Sequence, residues 1–151
     1  MIAILNNKNE RVYSDDLLIQ GMHRTVRVFA KALNTALSPI GFYSSEWTII
    51  KAIKERQGLS QAELASFLDI EPAAISKALT RLEKKDIIYR KQLKNNKSKN
   101  IFLTNEANLK YEKLEEVVEK HRNESLKSLS KEERIILKEL LEKMYANIKK
   151  E

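Results

Sequence analysis

The chain has 151 residues and a net charge of +7, from 28 basic and 21 acidic side chains. Hydrophobic residues make up 42%, enough for a core and too many for wholesale disorder, while 3 glycines and 2 prolines are too few for the tight turns of an all-β sandwich. With no cysteine there is no disulfide framework, thiolate metal site or cysteine redox switch. No run approaches about 18 apolar residues, and residues 1–11 lack a basic flank leading into an apolar stretch. The expectation is a cytoplasmic protein without a secretory signal or a membrane partner.

The positive charge is unevenly placed. Residues 56–104 carry +5, residues 1–55 carry +2, and residues 105–151 are balanced. Within 87–104 stand Arg90, Lys91, Lys94, Lys97 and Lys99 with no acid among them. A one-signed patch beside a balanced remainder points to a polyanionic partner. Charge alone leaves open a lysine-rich loop kept for solubility.

In chain order, the first helical period runs from Asp15 to Leu37, where Leu18, Met22, Val26, Phe29 and Leu33 make one apolar stripe. Pro39 and Gly41 end it. Ser44 offers a cap for a second helix with Trp47, Ile50 and Ile53 on one face, closed by Gly58. Ser60 and Glu63 have capping-box spacing and open a third helix, to about Leu68, with Leu64, Ala65 and Leu68 inward. Residues 69–71 form a turn. Pro72 takes the first position of a fourth helix, whose inner face is Ile75, Leu79 and Leu82 and which ends near Lys85. Thr80 and Glu83 have the same spacing but fall inside this period, so they mark no helix start.

Residues 87–93 and 101–103 are rich in β-branched, aromatic and apolar types and read as two strands joined by a polar basic loop, a hairpin. Thr104 caps a long helix with the stripe Ala107, Tyr111, Leu114, Val118 and His121. Ser130 and Glu133 form another capping box, opening a last helix with Leu137, Leu140, Leu141, Met144 and Ile148 inward.

Two short helices joined by a tight turn, then a hairpin with a basic tip, make a winged helix-turn-helix. The second of the two must enter the DNA major groove, so its outer face must be small or hydrogen-bonding. Its outward positions are Pro72, Ala73, Ala74, Ser76, Lys77, Thr80 and Arg81. The small residues allow close approach to base edges. Ser76, Thr80 and Arg81 can reach bases or phosphates, and Lys77 can neutralise a phosphate. The amides at Ser60 and Gln61 open a helix N-terminus that favours phosphate. Arg90, Lys94, Lys97 and Lys99 on the hairpin can reach an adjacent minor groove or the backbone. Any amphipathic helix has a polar face; the capped helix before it and the acid-free hairpin after it give this face its reading as double-stranded-DNA-binding.

Residues 41–47 (GFYSSEW), 59–65 (LSQAELA), 74–85 (AISKALTRLEKK) and 101–104 (IFLT) resemble, in order and spacing, the MarR/SlyA family of bacterial transcription regulators, over nearly the whole chain. The resemblance implies a mainly α fold with a small β-hairpin wing and an all-helical dimerisation base. It implies a homodimer on a pseudo-palindromic operator, usually a repressor, released in many members by a small aromatic molecule bound between base and reading heads. The expected division is 1–40 and 105–151 for dimerisation and 41–104 for DNA binding, in one intertwined domain. Tyr43 and Trp47 near Met22 and Val26 are the candidate effector pocket; the same residues also suit the ordinary core of the head.

Two positions depart from the family pattern. Its wing usually carries Asp-x-Arg, where this chain has Asn95 and Lys97, so the ion pair and the planar guanidinium fork are both lost. The expected result is a looser wing that adds salt-dependent affinity more than sequence readout. Where the family usually has glycine after the recognition helix, this chain has Asp86, which tolerates the left-handed region better than most residues.

The terminal helices support a dimer independently, being charge-balanced and amphipathic as an interhelical seam requires; folding back onto their own chain is the alternative. Catalysis is not expected. His23 and His121 are the only histidines, too few for an all-histidine zinc site, although carboxylates could add ligands, and Glu115, Glu116 and Glu119 suit helix-surface pairing with lysines such as Lys120. No glycine-rich phosphate loop or nucleophile triad spacing is present, and no cofactor or metal is implied. The alternative function is a winged-helix protein-interaction module without sequence-specific DNA binding.

Overall fold

The computed structural model describes residues 13–93 and 97–150. In order it contains α1 (Asp15–Leu37), a 3-10 turn (Ser38–Ile40), α2 (Ser44–Glu55), β1 (Leu59–Ser60), α3 (Gln61–Leu68), α4 (Pro72–Lys84), β2 (Ile88–Gln92), β3 (Lys99–Leu103), α5 (Asn105–Leu126) and α6 (Lys131–Ile148). The helix starts follow from side-chain caps. Ser14 accepts from Leu17 N, Ser60 from Glu63 N, Thr104 from Ala107 N and Ser130 from Glu133 N. Each satisfies an amide that would otherwise lack a partner, about 1 kcal/mol per cap.

Three boundaries differ from the sequence reading. The cap of α2 is Tyr43 rather than Ser44, and it is Glu46, three residues on, that accepts from the Tyr43 amide. That helix ends at Glu55, before Gly58, whose φ of +88° serves the turn into β1. The sheet has three antiparallel strands in the order β1-β3-β2, because Leu59 and Ser60 pair with Ile101 and Asn100. The β2–β3 hairpin is in register from Ile88↔Leu103 to Gln92↔Lys99. Asp86 adopts φ +59°, the left-handed turn expected of it.

One core holds residues 42–107 together. It joins Trp47, Ile49, Ile50 and Ile53 of α2, Leu64 of α3, and Ile75, Leu79 and Leu82 of α4 to Ile87, Ile88, Ile101 and Leu103 at the sheet. Each fully buried Leu or Ile contributes roughly 1.5–3 kcal/mol. The far end of α1 (Leu33, Leu37) and α5 (Leu114, Val118) packs against this unit. Trp47 meets Tyr111 of α5 with ring centroids 5.4 Å apart, and Phe29 of α1 meets His121 of α5 at 4.5 Å.

The base is different. Of the predicted α1 stripe only Leu33 is buried, and α6 buries no residue at all. Leu137, Leu140, Leu141 and Ile148, expected to point inward, are open to solvent in the single chain. The reason is geometric: α6 runs clear of α5 after the turn at 127–130, and the described residues offer it no second surface. It touches the reading head through Tyr145, whose hydroxyl donates to Asp69 Oδ2 at 2.6 Å, and through Lys149, whose ammonium donates to Asp69 Oδ1.

Candidate nucleic-acid interface

The turn between α3 and α4 is built by Asp69, at φ +53°, whose amide donates to Ser66 O, followed by Ile70, whose amide donates to Ala65 O. That reversal lets Ile75, Ala78, Leu79 and Leu82 bury one side of α4 and leaves the other side outward. Pro72, Ala73, Ala74, Ser76, Lys77 and Thr80 are all exposed, as the sequence predicts. The small residues sit at the N-terminal half. Thr80 Oγ1 donates to Ser76 O, as an interior helix threonine does, so Thr80 and Glu83 cap nothing.

Beside this face runs a groove of about 640 Å³, lined by Ser60, Gln61, Pro72, Arg90, Ser98 and Lys99 among others. The first turn of α3 forms one wall and the wing the other. Ser60 is spent on its cap, and Glu63 returns the bond to Ser60 N at 2.8 Å. Lys97 and Lys99 are exposed on the wing. Lys94 and Asn95 lie outside the described residues.

Two predicted contact residues are not free. Arg90 is half-buried: its Nη1 donates to Gln61 Oε1 at 2.9 Å and its Nε to Glu83 Oε2 at 3.4 Å, so it ties the wing to both helices. Arg81 does not project outward as expected. Its Nε donates to Glu46 Oε1 at 3.3 Å, and its guanidinium lies 5.8 Å from the Tyr43 ring.

Glu46 escaped the sequence reading. It is fully buried, and both its oxygens are also met by Lys85 Nζ, at 3.0 and 2.8 Å. A signal was available: Glu46 is the only charged residue between Lys31 and Lys51.

The four residues suggested for an effector pocket are not gathered. Trp47 is buried beneath Tyr111, Val26 is 67% exposed on α1 and Met22 is half-buried. Tyr43 alone of the four borders a recess of about 410 Å³, with Asn34, Ser44, Ser45 and Arg81. Among the described residues no cluster of three or more His, Asp or Glu side chains could hold a metal ion, and no helix is long and apolar enough to cross a membrane.

A capped helix, a tight left-handed turn, a helix with a small outward face and a basic three-stranded wing define a winged helix-turn-helix transcription regulator, a DNA-binding protein. The chain belongs to the MarR family: residues 42–98 match the MarR family model, and a Bacillus subtilis (strain 168) relative, the HTH-type transcriptional regulator YwoH, is 31% identical over 102 residues, covering 68% of this chain and 74% of the relative. A putative MarR family transcriptional regulator from Listeria monocytogenes, solved in complex with a 26mer DNA, superposes with a TM-score of 0.79 at 27% identity, over 86% of this chain and 87% of that one. A MarR protein from Peptoclostridium difficile DA00132 shares the fold, with a TM-score of 0.80 at 21% identity over 97% and 94% of the two chains.

Proposed function

We propose that the chain acts as a homodimer that occupies a pseudo-palindromic operator in the cytoplasm and represses transcription, with no catalytic activity of its own. The observation that carries the operator reading is the outward N-terminal half of α4, Pro72 to Ser76, held small and exposed beside the groove lined by Arg90 and Lys99. A helix so presented can approach base edges while the wing follows the backbone. The contact set is Ser76, Lys77 and Thr80 on α4, with Pro72, Ala73 and Ala74 against bases, the Gln61 amide toward phosphate (the Ser60 amide, expected beside it, is taken by Glu63), and Lys94, Lys97 and Lys99 on the wing. A similar Listeria protein solved in complex with DNA supports the DNA-binding reading.

The division of labour follows the sequence: 41–104 reads DNA, while 1–40 and 105–151 dimerise. The uncovered apolar side chains of α6 and of the first half of α1 support a second copy as their cover. Two-fold symmetry would set the paired α4 helices about 34 Å apart, one DNA turn. A small aromatic effector is placed at the recess beside Tyr43, where α1, the start of α2 and α4 meet; occupancy there would loosen the operator complex.

The test selects duplexes from a random library with the full chain, then measures binding to selected and random duplexes across a salt series. Selected duplexes should carry inverted repeats, and affinity should fall by roughly 10³–10⁵ between about 50 and 200 mM salt if six to ten phosphates are neutralised. A flat, negligible response on both DNAs would favour the protein-interaction reading. A strictly monomeric chain in sedimentation at micromolar concentration would remove the dimer.

A further inference from the structure

We propose that Glu46 is a positioning residue for sequence-specific DNA binding: from inside the reading head it fixes the pose of the recognition helix α4 and withholds two cations from non-specific contact with phosphate. The proposal rests on the DNA-binding reading.

The geometry is that of a pivot. Glu46 sits in the first turn of α2 with no exposed surface. One oxygen accepts from Arg81 Nε and Lys85 Nζ, and the other from Lys85 Nζ and the Tyr43 amide at 3.1 Å. Lys85 also donates to Gly41 O at 2.8 Å, at the bend before α2. Arg81 lies in the last turn of α4, and Lys85 is its C-cap. The carboxylate thus ties the C-terminal end of α4 to the Tyr43 amide at the start of α2, and Lys85 adds its own tie to Gly41 O in the same segment. Burying a carboxylate costs several kcal/mol before its partners are counted, and an apolar side chain of similar size would often serve stability as well. What a charged anchor adds is a single defined geometry, through four donor–acceptor contacts whose directions are fixed.

The lever is long. From Arg81 back to Pro72 is nine residues, about 14 Å at 1.5 Å per residue. A tilt of about 10° at the anchored end moves the small residues at the other end by about 2.4 Å, the difference between making and missing a base contact. The same anchor controls charge. The Arg81 and Lys85 side chains remain 43% and 32% exposed, yet both are directed inward by Glu46. Released, they would be mobile cations on the reading head, adding affinity for any duplex.

Glu46→Gln keeps the shape and removes the charge. A stability role alone lowers the folded fraction and weakens all DNA binding in parallel. A positioning role separates the two affinities. On duplexes selected by the wild-type chain from a random library, Kd should weaken about tenfold or more. On random duplex it should stay level or tighten by two- to fivefold, and the slope of log affinity against log salt should steepen by about one for each phosphate newly contacted. Thermal melts confirm the folded fraction at the assay temperature. If Glu46→Gln has lost its cooperative melt, Lys85→Met replaces it. That variant leaves Glu46 paired with Arg81 and removes a cation already neutralised in the wild type; selected-duplex affinity should fall severalfold, with random-duplex affinity and salt slope unchanged. Equal losses on both DNAs, or no loss on the selected duplex, overturn the proposal. A wild-type chain that binds neither DNA at low salt fails the DNA-binding reading first, before any variant is made, and the proposal falls with it.

Discussion

The reading head and α6 use the same kinds of side chain to opposite effect. In the head, Ile50, Ile53, Leu64, Leu79 and Leu82 have no exposed surface. In α6, Leu137, Leu140 and Leu141 repeat at helical spacing just as regularly and stand about half exposed. Both segments open with a serine–glutamate capping box, so local helix signals do not separate them. What separates them is the supply of opposing surface: two helices and a sheet close around α4, and among the described residues nothing closes around α6. An amphipathic stripe therefore states that a helix has a partner. It does not state that the partner lies in the same chain.

The strongest way to break this comparison is to truncate one leucine on each side. Leu79→Ala should cost about 2–5 kcal/mol in denaturant unfolding at any protein concentration. Leu141→Ala should cost less than about 0.5 kcal/mol in dilute solution, with a larger cost only where chains associate. Equal, concentration-independent costs would mean that α6 packs on its own chain after all. Next in size, Leu140→Glu places a charge in the centre of the uncovered face. Sedimentation should show monomers, and affinity for a selected inverted repeat should drop about 100-fold while each head keeps its thermal melt.

Two smaller effects sharpen the comparison. Ser60→Ala removes the α3 cap inside the head and should cost about 1 kcal/mol, read by thermal melting. The link between the two regions should respond to pH. Hydrogen bonds from Lys149 and Tyr145 hold the Asp69 carboxyl below the usual aspartate range. Its folded value being depressed, the link is complete above the usual aspartate value and is lost as pH falls through the lowered one. Amide protection factors at residues 145–149, corrected for the intrinsic exchange rate, should fall in that acid window, and Asp69→Asn should abolish that fall.

Much of the fold was legible because it is written locally. Caps at Ser60, Thr104 and Ser130, the proline opening α4 and the stripe of α4 each sit within a few residues of what they specify. β1 was not legible, because Leu59 and Ser60 become a strand only through Ile101 and Asn100, some forty residues later. At the interface, the small outer residues of α4 emerged as read, whereas Arg81 and Arg90 did not. An arginine at an outward helical phase or on a basic hairpin reads as a contact residue, but its long side chain follows the nearest acceptor, and Glu46, Glu83 and Gln61 are supplied by the tertiary fold.

The pairing of Ser60 with Asn100 has a mechanical consequence. The residue that caps α3 is also a rung of the ladder that carries the wing, and the Gly58 amide donates to Ile101 O at 3.0 Å just beside it. Helix and wing cannot then be spread or pinched independently. The head works as a caliper with its jaws set, so a duplex whose grooves do not match the gauge must itself bend or twist to fit. Such stiffness predicts selectivity at base pairs that the protein never touches, read as a change in affinity when only those base pairs of a selected duplex are varied.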